Sequence, residues 1–125
     1  MNLQEYKERL TILIEQEVIT EQAYDVALLA FRQLLEVLNK TEVEQAEMLF
    51  THLPMALTRI SKGENVEGPA AEIVNEIYNS PNFSVARSQV EWIEEKWNKI
   101  LPQGEKDYLY MHYSTILNIN IQGGA

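Results

Sequence analysis

Apolar residues recur at intervals of three and four along nearly the whole chain, and the five glycines and three of the four prolines fall between the segments so defined. That spacing places side chains on one stripe of a helix and is incompatible with the alternation of a half-buried strand. A first helix is expected from about Leu3 to Glu17, with Leu3, Tyr6, Leu10, Leu13 and Ile14 on its inner face. Thr20 stands where it can cap a second, from Glu21 to about Leu38. Thr41 with Glu44 reads as a capping box opening a third helix that runs to about Ile60 and contains Pro54, which should bend it or cost it a hydrogen bond. After Ser61-Lys62-Gly63 and Gly68-Pro69 come a short helix to about Tyr78 and a longer one from Asn82 to about Ile100. Past Pro102-Gln103-Gly104 a last helix is expected to Ile119. The fold class is therefore all-α: a compact bundle of five core helices plus an extra N-terminal one. Residues 1–20 form the added helix, 21–119 the bundle and 120–125 a loose tail.

At 125 residues one core suffices. The absence of cysteine excludes disulfides, thiolate metal sites and a cysteine nucleophile. Ten basic against nineteen acidic residues give a formal charge of -9, the wrong sign for releasing counterions from nucleic acid or docking on an anionic membrane. The start of the chain lacks the basic and apolar stretches of a signal peptide, and the longest strictly apolar run, Val26–Phe31, is too short to span a bilayer. A cytoplasmic location is the expectation.

An inventory of chemistry comes back thin. There is no glycine-rich phosphate loop, Gly-x-Ser-x-Gly elbow or His-Glu-x-x-His pair, so neither an enzyme nor a bound cofactor or metal is expected. Glu91, Glu94 and Glu95 read as a solvated face, and Met48, Met55 and Met111 as core filler. Two histidines remain. Arg59 lies seven residues after His52, two helical turns on the same face, and a phosphoryl group on that imidazole would be an anion the guanidinium can hold. His112 has Glu105 seven residues before it and Tyr108 four before it, a carboxylate and a hydroxyl able to orient one ring nitrogen. Either histidine, taken alone, reads first as an ordinary packed or surface residue.

Together they carry more. His52-Leu53-Pro54-Met55-Ala56-Leu57-Thr58-Arg59 resembles the first histidine motif of the phosphotransferase-system regulation domain, and Pro102, Glu105, Tyr108-Leu109 and His112-Tyr113 are similar to its second. The resemblance extends from about Ala23 to Ile119. It implies a five-helix core that dimerises, and phosphorylation of His52 and His112 by the phosphocarrier HPr or an enzyme II B component, with Arg59, Glu105 and Tyr108 supporting the phosphate. It also implies that the two motif helices meet, bringing the histidines together at a cleft lined by Arg59. His52, with an arginine on its own face, is then the expected main acceptor, and His112, flanked by Glu105, the weaker site or a supporting base. One copy of the domain and no output domain point to a stand-alone regulator acting on another protein in carbohydrate-responsive transcriptional control. The alternative is an interaction module of the same fold that is never phosphorylated.

Overall fold

The computed structural model describes residues 1–64 and 67–122, which form six helices: α1 (Leu3–Glu15), α2 (Glu21–Leu38), α3 (Glu47–Ser61), α4 (Ala71–Tyr78), α5 (Phe83–Trp97) and α6 (Gln103–Gln122). No strand occurs among the described residues, only a single bridge between Asn2 and Glu42. None of these helices is long and apolar enough to cross a membrane. α2 packs on α1, α3 and α5, while α6 packs on α3, α4 and α5, so α2 and α6 are the two hubs of the bundle. One apolar core runs through all of them, from Tyr6 and Leu10 of α1 to Tyr113, Ile116 and Leu117 of α6. The N-terminal helix is thus part of that core.

Each boundary has a local cause. Asn2 forms a capping box: its side chain accepts from the Glu5 amide (2.9 Å) while its own amide donates to the Glu5 carboxylate (3.1 Å). Thr20 caps α2 as expected, accepting from the Ala23 amide. Four helices close with a residue in the left-handed region, Glu17, Asn39, Gly63 and Asn98. In each case the next amide reaches back five residues to a helix carbonyl, as Lys40 does to Leu35 and Glu64 to Arg59. These turns stop α1 at Glu15 and α5 at Trp97, short of the expected Glu17 and Ile100, and Ile100 is left 80% exposed.

The expected capping box at Thr41 and Glu44 does not form, and α3 starts only at Glu47, behind Ala46, with no side-chain cap. The reason lies in distant parts of the chain. The Val43 amide donates to the Met1 carbonyl (2.9 Å), its carbonyl accepts from the Met1 amine (2.7 Å), and Val43 is fully buried. The Asn120 side chain accepts from the Glu44 amide (2.9 Å) and donates to the Glu44 carbonyl (3.1 Å). With its backbone groups satisfied this way, the segment holds a non-helical path through a turn at Glu44–Gln45 that a helix would have to break. The same contacts correct the C-terminal expectation. α6 continues through Gln122, and Asn120, 1% exposed, clasps the loop before α3 rather than starting a loose tail. Residues 123–125 lie outside the described residues.

Pro54 neither ends α3 nor leaves a gap in its bonding. A proline there deprives the Phe50 carbonyl of its helical donor. The Tyr6 hydroxyl donates to that carbonyl at 2.8 Å, so α1 supplies the bond that α3 cannot make for itself. Gly68, in the lead-in to α4, lies at a close approach: a β-carbon there would sit 3.0 Å from the Gly104 Cα at the start of α6, and the two segments would have to part slightly to admit it. Two further expectations fail on the surface. Met48 is 71% exposed, whereas Met55 and Met111 pack against the core. Glu94 is no solvated carboxylate, for it accepts from the Leu101 amide (2.7 Å) and pairs with Lys106 (3.3 Å), fixing the turn between α5 and α6.

Candidate functional site

The buried stripe of α6 runs Glu105, Leu109, Tyr113, Ile116, Asn120, at steps of three and four. Glu105 occupies a position whose phase calls for an apolar residue, and it is 1% exposed. A buried carboxylate must find a partner. It finds one across the helix interface: His52 Nε2 of α3 lies 2.5 Å from Glu105 Oε1. An ionised carboxylate only accepts, so the imidazole nitrogen carries the proton in this bond. Glu105 Oε2 is buried with no hydrogen-bond partner among the described residues. Single engagement makes the pair with His52 the main compensation for this buried charge.

His112 sits two turns further along α6, and its ring centroid is 5.6 Å from that of His52, with the planes inclined at 43°. Tyr108, between Glu105 and His112 in sequence, brings its ring centroid to 6.2 Å from His52. The two histidine motifs therefore meet at the α3–α6 interface. Their pairing differs in one respect from the sequence reading: Glu105 bonds to His52 of the other helix and not to His112 of its own. No hydrogen bond or ion pair joins Arg59 to the cluster; it follows His52 by two turns on α3, roughly 10 Å along the axis. Among the described residues its guanidinium makes neither kind of contact.

His52 is half-buried, its side chain 23% exposed, and it forms one wall of an open groove of about 660 Å³ lined also by Gln45, Glu47, Met48 and Thr51. The exposed Met48 missed by the sequence reading belongs to this groove. Its exposure follows from the late start of α3, which leaves residue 48 in the first turn with no helix packed over it. No group of three or more His, Asp or Glu among the described residues is placed to hold a metal ion. A second polar cluster, announced by no local pattern, joins α4 to α6: the Tyr78 hydroxyl donates to Asp107 (2.8 Å), as does the Gln103 amide (3.0 Å). Desolvation and the Asp107 carboxylate push the Tyr78 hydroxyl up to about 12. It ties helices together at a distance from the histidines in the fold, on the α4 side of α6.

The His112 imidazole is held below its ordinary value, chiefly by burial and next by the neighbouring His52 ring, with Glu105 pulling the other way. It therefore stands neutral at neutral pH, with a lone pair free to act. The shift has a consequence for stability. Its folded value lies below its unfolded one, so the unfolded chain binds the proton first as pH falls. Stability is then fully present above about pH 6.5 and declines on acidification through that value. Urea unfolding of the wild type and of His112→Gln at pH 7.5, 6.5 and 5.5 checks this. The wild type should lose more stability over that range than the variant, and equal losses would show that His112 is not the group responsible.

A family model described as the PRD domain matches residues 35–116, from the end of α2 through most of α6. No curated protein and no solved structure matches the chain. The match takes in both histidines and every residue found around them. Spanning well over half of the chain, it shows that this protein belongs to the PRD domain family, whose members are regulatory rather than catalytic domains under the control of the sugar phosphotransferase system.

Proposed function

We propose that this chain is a regulatory domain that receives a phosphoryl group on histidine, principally His52 and secondarily His112, from HPr or an enzyme II B component. The observation that carries the reading is the meeting of the two rings, 5.6 Å apart, over a single buried carboxylate. A neutral imidazole is the nucleophile that phosphoryl transfer needs, and an adjoining carboxylate stabilises the cationic ring that results. A phosphoryl group adds about 1.5 to 2 negative charges. Placed at the seam between α3 and α6, it would sit beside His112, whose ring would then be drawn toward its protonated form. Arg59, Tyr108 and the protonated His112 are the groups able to balance it.

The output of this reading is a change in how α3 and α6 meet, passed to another protein in carbohydrate-responsive transcriptional control. The protein acts in the cytoplasm, as a symmetric homodimer, without contacting nucleic acid itself; the charge of -9 supports that last point. The test is incubation with phosphoenolpyruvate, enzyme I and HPr, and separately with a phosphorylated enzyme II B component, followed by mass spectrometry for acid-labile phosphate. Transfer from either donor supports the reading. No transfer from both would favour a helical interaction module that is not phosphorylated.

A further inference from the structure

We infer that Glu105 is a positioning residue which holds the His52 proton on Nε2, so that His52 takes the phosphoryl group on Nδ1. The inference deepens the reading just given and rests on it for its biological meaning, though its chemistry can be examined without the protein donors. Three observations converge on it. Nε2 is 2.5 Å from Glu105 Oε1 and is therefore the protonated nitrogen, with no lone pair to offer. Nδ1 has no hydrogen-bond partner among the described residues, and the His52 side chain, 23% exposed, lines the open groove. The groove that His52 lines is built from Gln45, Glu47, Met48 and Thr51, all of α3 or the loop before it; Glu105 is no part of its wall and meets the ring from α6.

Charge argues the same way. Phosphorylation on Nε2 would break the bond to Glu105 and press a phosphoryl dianion against a carboxylate that is 1% exposed and has no other hydrogen bond among the described residues. Like charges at that separation, away from water, repel strongly. Phosphorylation on Nδ1 puts the new anion on the opposite side of the ring. The step balances without any further reactant. The Nδ1 lone pair attacks phosphorus, the donor's nitrogen–phosphorus or sulfur–phosphorus bond breaks, and its electron pair departs with the donor atom. The ring acquires a positive charge, and the Nε2 proton remains between it and Glu105. A buried carboxylate hydrogen-bonded to a ring that becomes cationic strengthens its bond as the transfer proceeds, which is the differential stabilisation that lowers a barrier.

The experiment uses His112→Gln as background, so that His52 is the only histidine, with potassium phosphoramidate as the chemical donor. Long-range 15N–1H correlation spectra of the unphosphorylated protein should show His52 as the Nε2–H tautomer. Spectra of the product, with 15N–31P coupling, should show Nδ1-phosphohistidine in about tenfold excess or more, the weight of one charge-assisted hydrogen bond. Glu105→Gln keeps an acceptor carbonyl and should keep the Nδ1 preference. Glu105→Met, of similar volume but without an acceptor, should let the Nε2 isomer accumulate. A predominantly Nε2 product in the background protein, no phosphohistidine at all, or undiminished Nδ1 preference in Glu105→Met would each overturn the inference. Nδ1 product from phosphoramidate with no transfer from HPr or enzyme II B would instead leave this inference standing and remove the proposed function.

Discussion

Replacing Tyr6 by alanine is expected to lower the unfolding free energy by about 3–5 kcal/mol, and replacing it by phenylalanine by about 1–3 kcal/mol. The larger loss follows from the ring. Tyr6 is 1% exposed and packs against Phe31 of α2 (centroids 4.9 Å apart) and Phe50 of α3 (5.2 Å), which themselves meet edge to face at 5.0 Å. Phe50 in turn reaches Tyr113 of α6, so this one ring stack joins four helices. The smaller loss follows from the hydroxyl, which donates to the Phe50 carbonyl that Pro54 deprives of its i+4 amide. A buried acceptor left unpaired costs its full desolvation. Pro54→Ala restores an amide at that point in the helix. In the Tyr6→Phe background it should therefore recover more stability than it adds to the wild type, with a coupling of about 1 kcal/mol in urea unfolding. Strict additivity would show that the two residues do not share the Phe50 carbonyl. Since a domain of this size has only about 5–15 kcal/mol in hand, Tyr6→Phe is the variant to rely on if Tyr6→Ala fails to fold.

That coupling also marks the limit of what local sequence patterns specify. The helices were legible because their periodicity is local: each apolar stripe buries itself whatever its partner. Thr20 as a cap and Gly63 as a stop were legible for the same reason, since each acts within a few residues of itself. The segment 41–46 was not. A capping box between Thr41 and Glu44 is a sound local expectation, but Met1 and Asn120 compete for the backbone of that loop from opposite ends of the chain. Asn120 itself looked like part of a tail because no periodicity announces a polar residue whose partners are backbone atoms 76 positions away.

The site shows the same division. Both histidines, Glu105 and Tyr108 could be picked out from their spacing and from the family resemblance, and the fold brings these four together. The pairing could not. On a single helix, Glu105 and His112 share a face, and nothing in α6 alone reveals that a histidine from α3 stands closer to the carboxylate. A usable signal did exist: Glu105 falls in phase with Leu109, Tyr113 and Ile116, and a carboxylate on an apolar stripe implies a partner from the helix it packs on. Arg59 is assigned to the phosphate by its register and by its place in the first histidine motif. Register places it on the face of His52 but two turns away, and its part in the chemistry remains within the proposal.

The second large effect is expected in phosphate transfer. His52 has a buried carboxylate bonded to one ring nitrogen and an open groove in front of it; His112 has a neutral ring and, among the described residues, no acceptor for either nitrogen. His52→Ala should therefore lose most of the label, Arg59→Ala should lower it, and His112→Ala should lower it less than His52→Ala does. Folding of each variant is checked by its helical far-ultraviolet spectrum, since α3 and α6 both contribute to the core. The most direct measurement compares acid-labile phosphate in the wild type and in the His52→Ala/His112→Ala double variant, loaded from phosphorylated HPr and from a phosphorylated enzyme II B component. The account predicts label in the wild type from at least one donor and none in the double variant; equal labelling of the two proteins, or an unlabelled wild type with both donors, would contradict it.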